Sequence, residues 1–99
     1  MVILDHKMGR YVVITLKISP NDVDIDLEKI NEKVKDIIKN FGGQYLSHEI
    51  QPIAFGLNSL IVKFLYPDQE FKEEELLNQI NSIEGVSSSE VISVSLAQL

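Results

Sequence analysis

The chain has 99 residues, enough for one domain around one core, and its 44% hydrophobic and 24% charged content is ordinary for a globular protein. Nine basic against fifteen acidic residues leave a net charge of −6, which opposes nucleic acid and favours a basic or cationic partner. There is no cysteine, so a disulfide framework and Cys-ligated metal are excluded, which fits a cytoplasmic home.

Apolar runs are only a few residues long, so no membrane span is expected. Residues 1–7 are too short for a signal peptide, and Met8-Gly9-Arg10 reads as a second possible start. Residues 1–7 are therefore read as a flexible extension and 8–99 as the domain. From Arg10 to Ile18 the chain alternates, with Val12, Ile14, Leu16 and Ile18 on one face, which predicts a strand. Ser19-Pro20-Asn21-Asp22 supplies turn chemistry. Leu27, Ile30, Val34, Ile37, Ile38 and Phe41 then follow at helical spacing, with Asp26 as N-cap and Gly42-Gly43 as stop. Its outer face carries alternating charges, including Glu32 and Lys35 three apart, the pattern of a solvated face.

Gln44 to Gln51 reads as a second strand with Leu46, His48 and Ile50 on one side. Pro52 to Leu57 interrupts it, and Leu60 to Tyr66 forms a third strand stopped by Pro67-Asp68. Glu73 to Ser82 reads as a second helix with Leu76, Leu77, Ile80 and Ile83 inward, and with Glu70, Glu73, Glu74 and Glu75 crowding its start. Gly85 closes it, Ser87-Ser88-Ser89 reads as a turn, and Val91 to Leu96 as a fourth strand. Val91 and Val94 differ by three, which predicts a bulge between them. The order strand-helix-strand, strand-helix-strand predicts the α+β class. The expected fold is a ferredoxin-like βαββαβ two-layer sandwich with a four-stranded antiparallel sheet. Tyr11, Val13, Ile61 and Leu65 would give the face away from the helices an apolar character.

Chemistry-bearing motifs are sparse. His6 and His48 are the only histidines, and no cluster joins them into a metal site. No base is placed near the serines at 87–89, and the acidic run at 70–75 lacks the spacing and Gly of a Ca²⁺ loop. No Gly-rich phosphate loop is present, so no nucleotide bound by the chain itself and no cofactor are expected. The paired basic and aromatic signature of an RNA-binding sheet is also missing.

The informative stretch is Pro52-Ile53-Ala54-Phe55-Gly56-Leu57, an apolar loop opened by Pro and interrupted by Gly. A Phe there either folds back into its own core or meets another molecule. This loop, followed by Leu60 and Val62, resembles the archaeal translation elongation factor 1-beta family. Met8-Gly9 with the strand through Pro20, Asp24-Ile25-Asp26-Leu27-Glu28-Lys29, and Ile83-Glu84-Gly85-Val86 before Glu90-Val91 agree in order and spacing. The resemblance covers about residues 8–97.

It implies a guanine nucleotide exchange factor for the GTPase elongation factor 1-alpha, which is not an enzyme in the strict sense. It further implies that Pro52, Ile53, Ala54, Phe55, Gly56 and Leu57 dock on the partner, with Phe55 as apolar anchor. It implies a second contact at Leu96, Ala97, Gln98 and Leu99, because eukaryotic relatives bring a penultimate Lys to the partner's metal site. Here that position holds Gln98, which cannot supply a cation. Lys63 is the candidate substitute nearest the loop in sequence. The competing reading is an ACT-like domain that senses a small molecule or oligomerises. Such a domain usually has Gly after the first strand, where this chain has Ser19-Pro20-Asn21-Asp22. A third is an interaction module using the open sheet face.

Overall fold

A computed structural model describes residues 10–69 and 71–97. The elements run β1 (Tyr11–Pro20), α1 (Leu27–Asn40), β2 (Gln44–Pro52), β3 (Asn58–Pro67), α2 (Glu73–Asn81) and β4 (Val86–Leu96). All pairings are antiparallel in the order β2-β3-β1-β4, so the expected ferredoxin-like sandwich is present and β2 and β4 are its edges. The expected extension at 1–7 lies outside the described residues.

The period-two face read from the sequence is the buried one. Ile14, Leu16 and Ile18 of β1 and Leu60, Val62, Phe64 and Tyr66 of β3 pack beneath Leu27, Ile30, Val34 and Ile38 of α1 and Leu76, Ile80 and Ile83 of the α2 region. Each buried aliphatic or aromatic side chain contributes about 1.5–3 kcal/mol.

Both ends of α1 have local causes. Asp26 Oδ1 accepts from the backbone N–H of Glu28 (3.0 Å) and of Lys29 (3.4 Å), an N-cap worth about 1 kcal/mol. At the other end Gly42 donates to Lys39 O (3.0 Å) and Gly43 to Ile38 O (2.9 Å), with Gly42 at φ +88°. That is a Schellman stop, and it requires the left-handed conformation a glycine adopts freely. The neighbouring Gly43 is needed for space, since a Cβ there would lie 2.9 Å from Phe64 Cδ2.

The bulge expected in β4 occurs. Thr15 pairs with Ser93 but Leu16 pairs with Val91, so Ile92 is the extra residue and Val91 turns toward the core. Several local expectations are corrected. Ser19 and Pro20 belong to β1, opposite Ser88 and Val86, so the turn begins at Asn21. Ser87-Ser88-Ser89 lies within β4, because tertiary pairing with β1 outweighs the turn preference of serine. Leu46 is not in regular alternation with His48 and Ile50. The register slips between Tyr45 and Ser47, which leaves Leu46 at the irregularity and turns Tyr45 inward instead. On the face away from the helices, Ile61 and Leu65 are only 6% and 7% exposed, so that face does not present the apolar surface the sequence suggested.

Candidate partner-binding site

The apolar surface that is presented lies at the ends and along both edges of the sheet. Pro52 closes β2 opposite Asn58, tolerated because β2 is an edge strand. Between them the chain reverses in a tight turn. Ile53 donates to Leu57 O (2.8 Å), and Leu57 donates back to Ala54 O (2.9 Å). The two residues inside the turn, Phe55 and Gly56, have φ of 53° and 80°. Positive φ at both central positions matches the twist of the flanking strands, and Gly and Asn are the residues that adopt it without strain. Phe55 is held there nonetheless, and its side chain is 98% exposed. The fold-back alternative for Phe55 is therefore not what the chain adopts.

Phe55 is not isolated. Ile53 beside it is 47% exposed. Val23, from the segment between β1 and α1, is 55% exposed, and its Cγ1 lies 4.0 Å from where a Cβ on Gly56 would sit. Sequence reasoning missed Val23. Its signal was an apolar residue between Asp22 and Asp24 in a segment whose one other apolar residue is Ile25. The Val23 N–H donates to Asp22 Oδ1 at 2.6 Å, which fixes the start of that segment.

The second half of the expected site lies elsewhere. Leu96 pairs with Val12 and Ala97 donates to Tyr11 O (2.9 Å), at the end of the sheet opposite the hairpin. Leu96 is exposed. Gln98 and Leu99 lie outside the described residues. The hairpin end of β1 is Pro20 and the tail end is Val12, eight residues apart and about 26 Å at roughly 3.3 Å per residue. The structure thus brings Pro52 to Leu57 together with Val23 and separates them from Leu96 and Ala97. Lys63 belongs to neither end. It is exposed at mid-strand between Ser47 and Thr15.

His48 has a structural role. Its Nε2–H donates to Glu28 Oε1 (3.0 Å), and its Nδ1 lies 2.7 Å from the Tyr45 hydroxyl and 3.3 Å from Asn31 Nδ2. The hydroxyl also reaches Asn31 Oδ1 at 3.1 Å. These bonds let Asn31, 1% exposed, sit beneath α1 with its polar group satisfied, and they tie the edge strand β2 to the helix. Among the described residues no three His, Cys, Asp or Glu side chains converge on a metal position, and no helix is long and apolar enough to cross a membrane.

Comparison with known proteins identifies the scaffold. Residues 13–96 match the family model described as the EF-1 guanine nucleotide exchange domain. The chain is 48% identical over 77 residues to Elongation factor 1-beta of Nanoarchaeum equitans, covering 78% of this chain and 94% of that protein. It is 38% identical over 80 residues to Elongation factor 1-beta of Archaeoglobus fulgidus, covering 81% and 90%. Among solved structures, the C-terminal domain of MgtC from Mycobacterium tuberculosis superposes with a TM-score of 0.63 at 11% identity, covering 96% of this chain and 94% of that one. The ACT domain of GTP pyrophosphokinase from Chlorobium tepidum gives 0.54 at 12% identity, covering 81% and 96%. At such identities these two likenesses speak to the fold alone, so the ACT-like reading gains nothing beyond shared topology. With the family model spanning nearly the whole sheet and both helices, the chain belongs to the family of EF-1 guanine nucleotide exchange domains.

Proposed function

We propose that the chain accelerates release of GDP from, and GTP exchange on, elongation factor 1-alpha by docking the tip formed by Pro52, Ile53, Ala54, Phe55, Gly56 and Leu57 against that GTPase. The observation that carries this reading is Phe55, a large apolar side chain 98% exposed on a backbone held by two hydrogen bonds. An aromatic ring fixed in water has no role in the chain's own core, and its burial elsewhere contributes about 1.5–3 kcal/mol. The domain needs no covalent chemistry for this task. A partner that binds the nucleotide-free GTPase more tightly than the GDP form weakens GDP binding by the same factor. It speeds exchange in both directions, and an excess of GTP sets the outcome.

The tail at Leu96, Ala97, Gln98 and Leu99 is proposed as a second contact. With the two contacts at least the length of β1 apart, the GTPase would lie along the sheet and meet both ends. The nucleotide of a GTPase is held by backbone amides, a lysine and Mg²⁺ between the phosphates. Leu96, Ala97, Gln98 and Leu99 carry no cation to compete with that metal, so this segment would act by steric displacement unless a lysine elsewhere contributes. A cytoplasmic location follows from this role.

The test is release of a fluorescent GDP analogue from purified elongation factor 1-alpha. Release should accelerate when the folded chain is added. No acceleration would refute the exchange role, and full acceleration by a chain lacking 97–99 would confine the mechanism to the tip.

A further inference from the structure

We infer that the docking surface is composite. The β1–α1 segment contributes Val23 as a second apolar contact beside Phe55 and Ile53, and Asp22 and Asp24 flank it, so the occupant is an apolar pocket bordered by lysine or arginine. This rests on the exchange reading and adds a second element and a charge requirement to it.

Area is the first argument. A buried Phe contributes about 150–250 Å², whereas a stable interface buries on the order of 600–800 Å² per partner. Phe55 alone is too small, and further surface must lie next to it. Val23 is an exposed apolar residue beside the turn, its Cγ1 4.0 Å from where a Cβ on Gly56 would sit, although it is 33 positions away in sequence.

Pre-organisation is the second. The segment carrying Val23 is held at both sides. Asn21 N–H donates to Gly85 O (2.9 Å), and Ile25 packs its Cγ2 within 3.1 Å of where a Cβ on Gly85 would lie. Between these anchors Asp22 accepts from the N–H of Val23. The side chain is thus kept outward without the partner, which lowers the entropy lost on docking.

Charge is the third. Val23 sits between Asp22 and Asp24, both exposed, on a chain of net charge −6. Elsewhere among the described residues, exposed Ile92, Val94 and Leu96 on β4 are interleaved with serines, and Leu46 and Ile50 on β2 have only Glu49 as a neighbouring carboxylate, whereas Val23 is flanked by two. Carboxylates around an apolar contact steer a basic partner and make association depend on salt.

The experiment measures GDP release from elongation factor 1-alpha at about 20 mM and about 500 mM salt, which sets the charge screening. It compares the unaltered chain, Val23→Ser, and the pair Asp22→Asn with Asp24→Asn. Asparagine keeps the acceptor at position 22, and both substitutions lie on exposed side chains, so far-UV circular dichroism should be unchanged. Val23→Ser should raise the concentration for half-maximal acceleration about 3- to 10-fold at both salts, as expected for losing part of an apolar contact. The Asp pair should raise it by a similar factor at low salt and by nothing at high salt. If the unaltered chain accelerates release and neither variant differs from it, the composite surface is refuted and the exchange role stands. If the unaltered chain fails to accelerate release, both fall.

Discussion

Phe55→Asn separates the stability of the domain from its proposed docking. Phe55 occupies φ 53°, and a residue with a Cβ loses roughly 1–2 kcal/mol in the left-handed region. Its ring is 98% exposed, so it returns almost nothing through packing. Asparagine tolerates this conformation, and Asn followed by Gly56 is the preferred pair for a two-residue hairpin turn. The substitution should therefore raise stability by about 1 kcal/mol, which for a domain of this size moves the melting temperature up by roughly 4–8 °C. The same change removes the proposed anchor, and loss of about 1.5–3 kcal/mol of burial weakens docking on the order of 10- to 100-fold. Thermal unfolding followed by circular dichroism reads the first quantity, and fluorescent-GDP release reads the second. A variant that melts lower than the unaltered chain would show that Phe55 supports its own fold. A variant that melts higher yet exchanges equally well would remove Phe55 from the mechanism.

Two further predictions concern the scaffold. Gly43→Ala should cost about 1–3 kcal/mol, because the new methyl would lie 2.9 Å from Phe64 Cδ2, 3.0 Å from Ile38 Cγ2 and 3.2 Å from Leu65 O, with Phe64 fully buried. An unchanged urea midpoint would contradict that packing. Asn31→Ala strips hydrogen-bond partners from the Tyr45 hydroxyl and from His48 Nδ1 and should lower stability by about 1–3 kcal/mol in urea unfolding. A loss below about 0.5 kcal/mol would mean that the Tyr45–His48 contact suffices without Asn31.

The sequence carried the fold wherever a local cause acted alone. Val12 to Ile18 shows its period because β1 is central and has helices on one side only. Asp26 and Gly42-Gly43 bound α1 through contacts within a few residues, so residue type alone marks them. The spacing of Val91 and Val94 disclosed the bulge at Ile92. Misreadings occur where distant pairing overrides local preference. Ser87 to Ser89 and Ser19-Pro20 carry turn residues, yet each holds the other extended across β1 and β4. Leu46 reads as part of a regular alternation that the slip beside Tyr45 interrupts. For the candidate site, Phe55 stood out because an apolar residue next to Gly is unusual at a turn. Val23 did not, since only the folded chain brings it near Gly56. The separation of Pro52–Leu57 from Leu96 and Ala97 was likewise a matter of strand direction, which no short motif records.

The bulge at Ile92 also bears on how the protein survives at high concentration. β4 is an edge of eleven residues with Glu90 as its single charge, and Ile92, Val94 and Leu96 are exposed along it. A straight edge of that composition would template the addition of a foreign strand and seed aggregation. The two register shifts, between Thr15 and Leu16 and between Ser19 and Pro20, break β4 into short runs and increase its local twist. An incoming extended strand can follow such an edge for only a few residues before its hydrogen bonds fall out of step. The irregularity that turns Val91 into the core thus doubles as colloidal protection, without a lysine or proline on the strand.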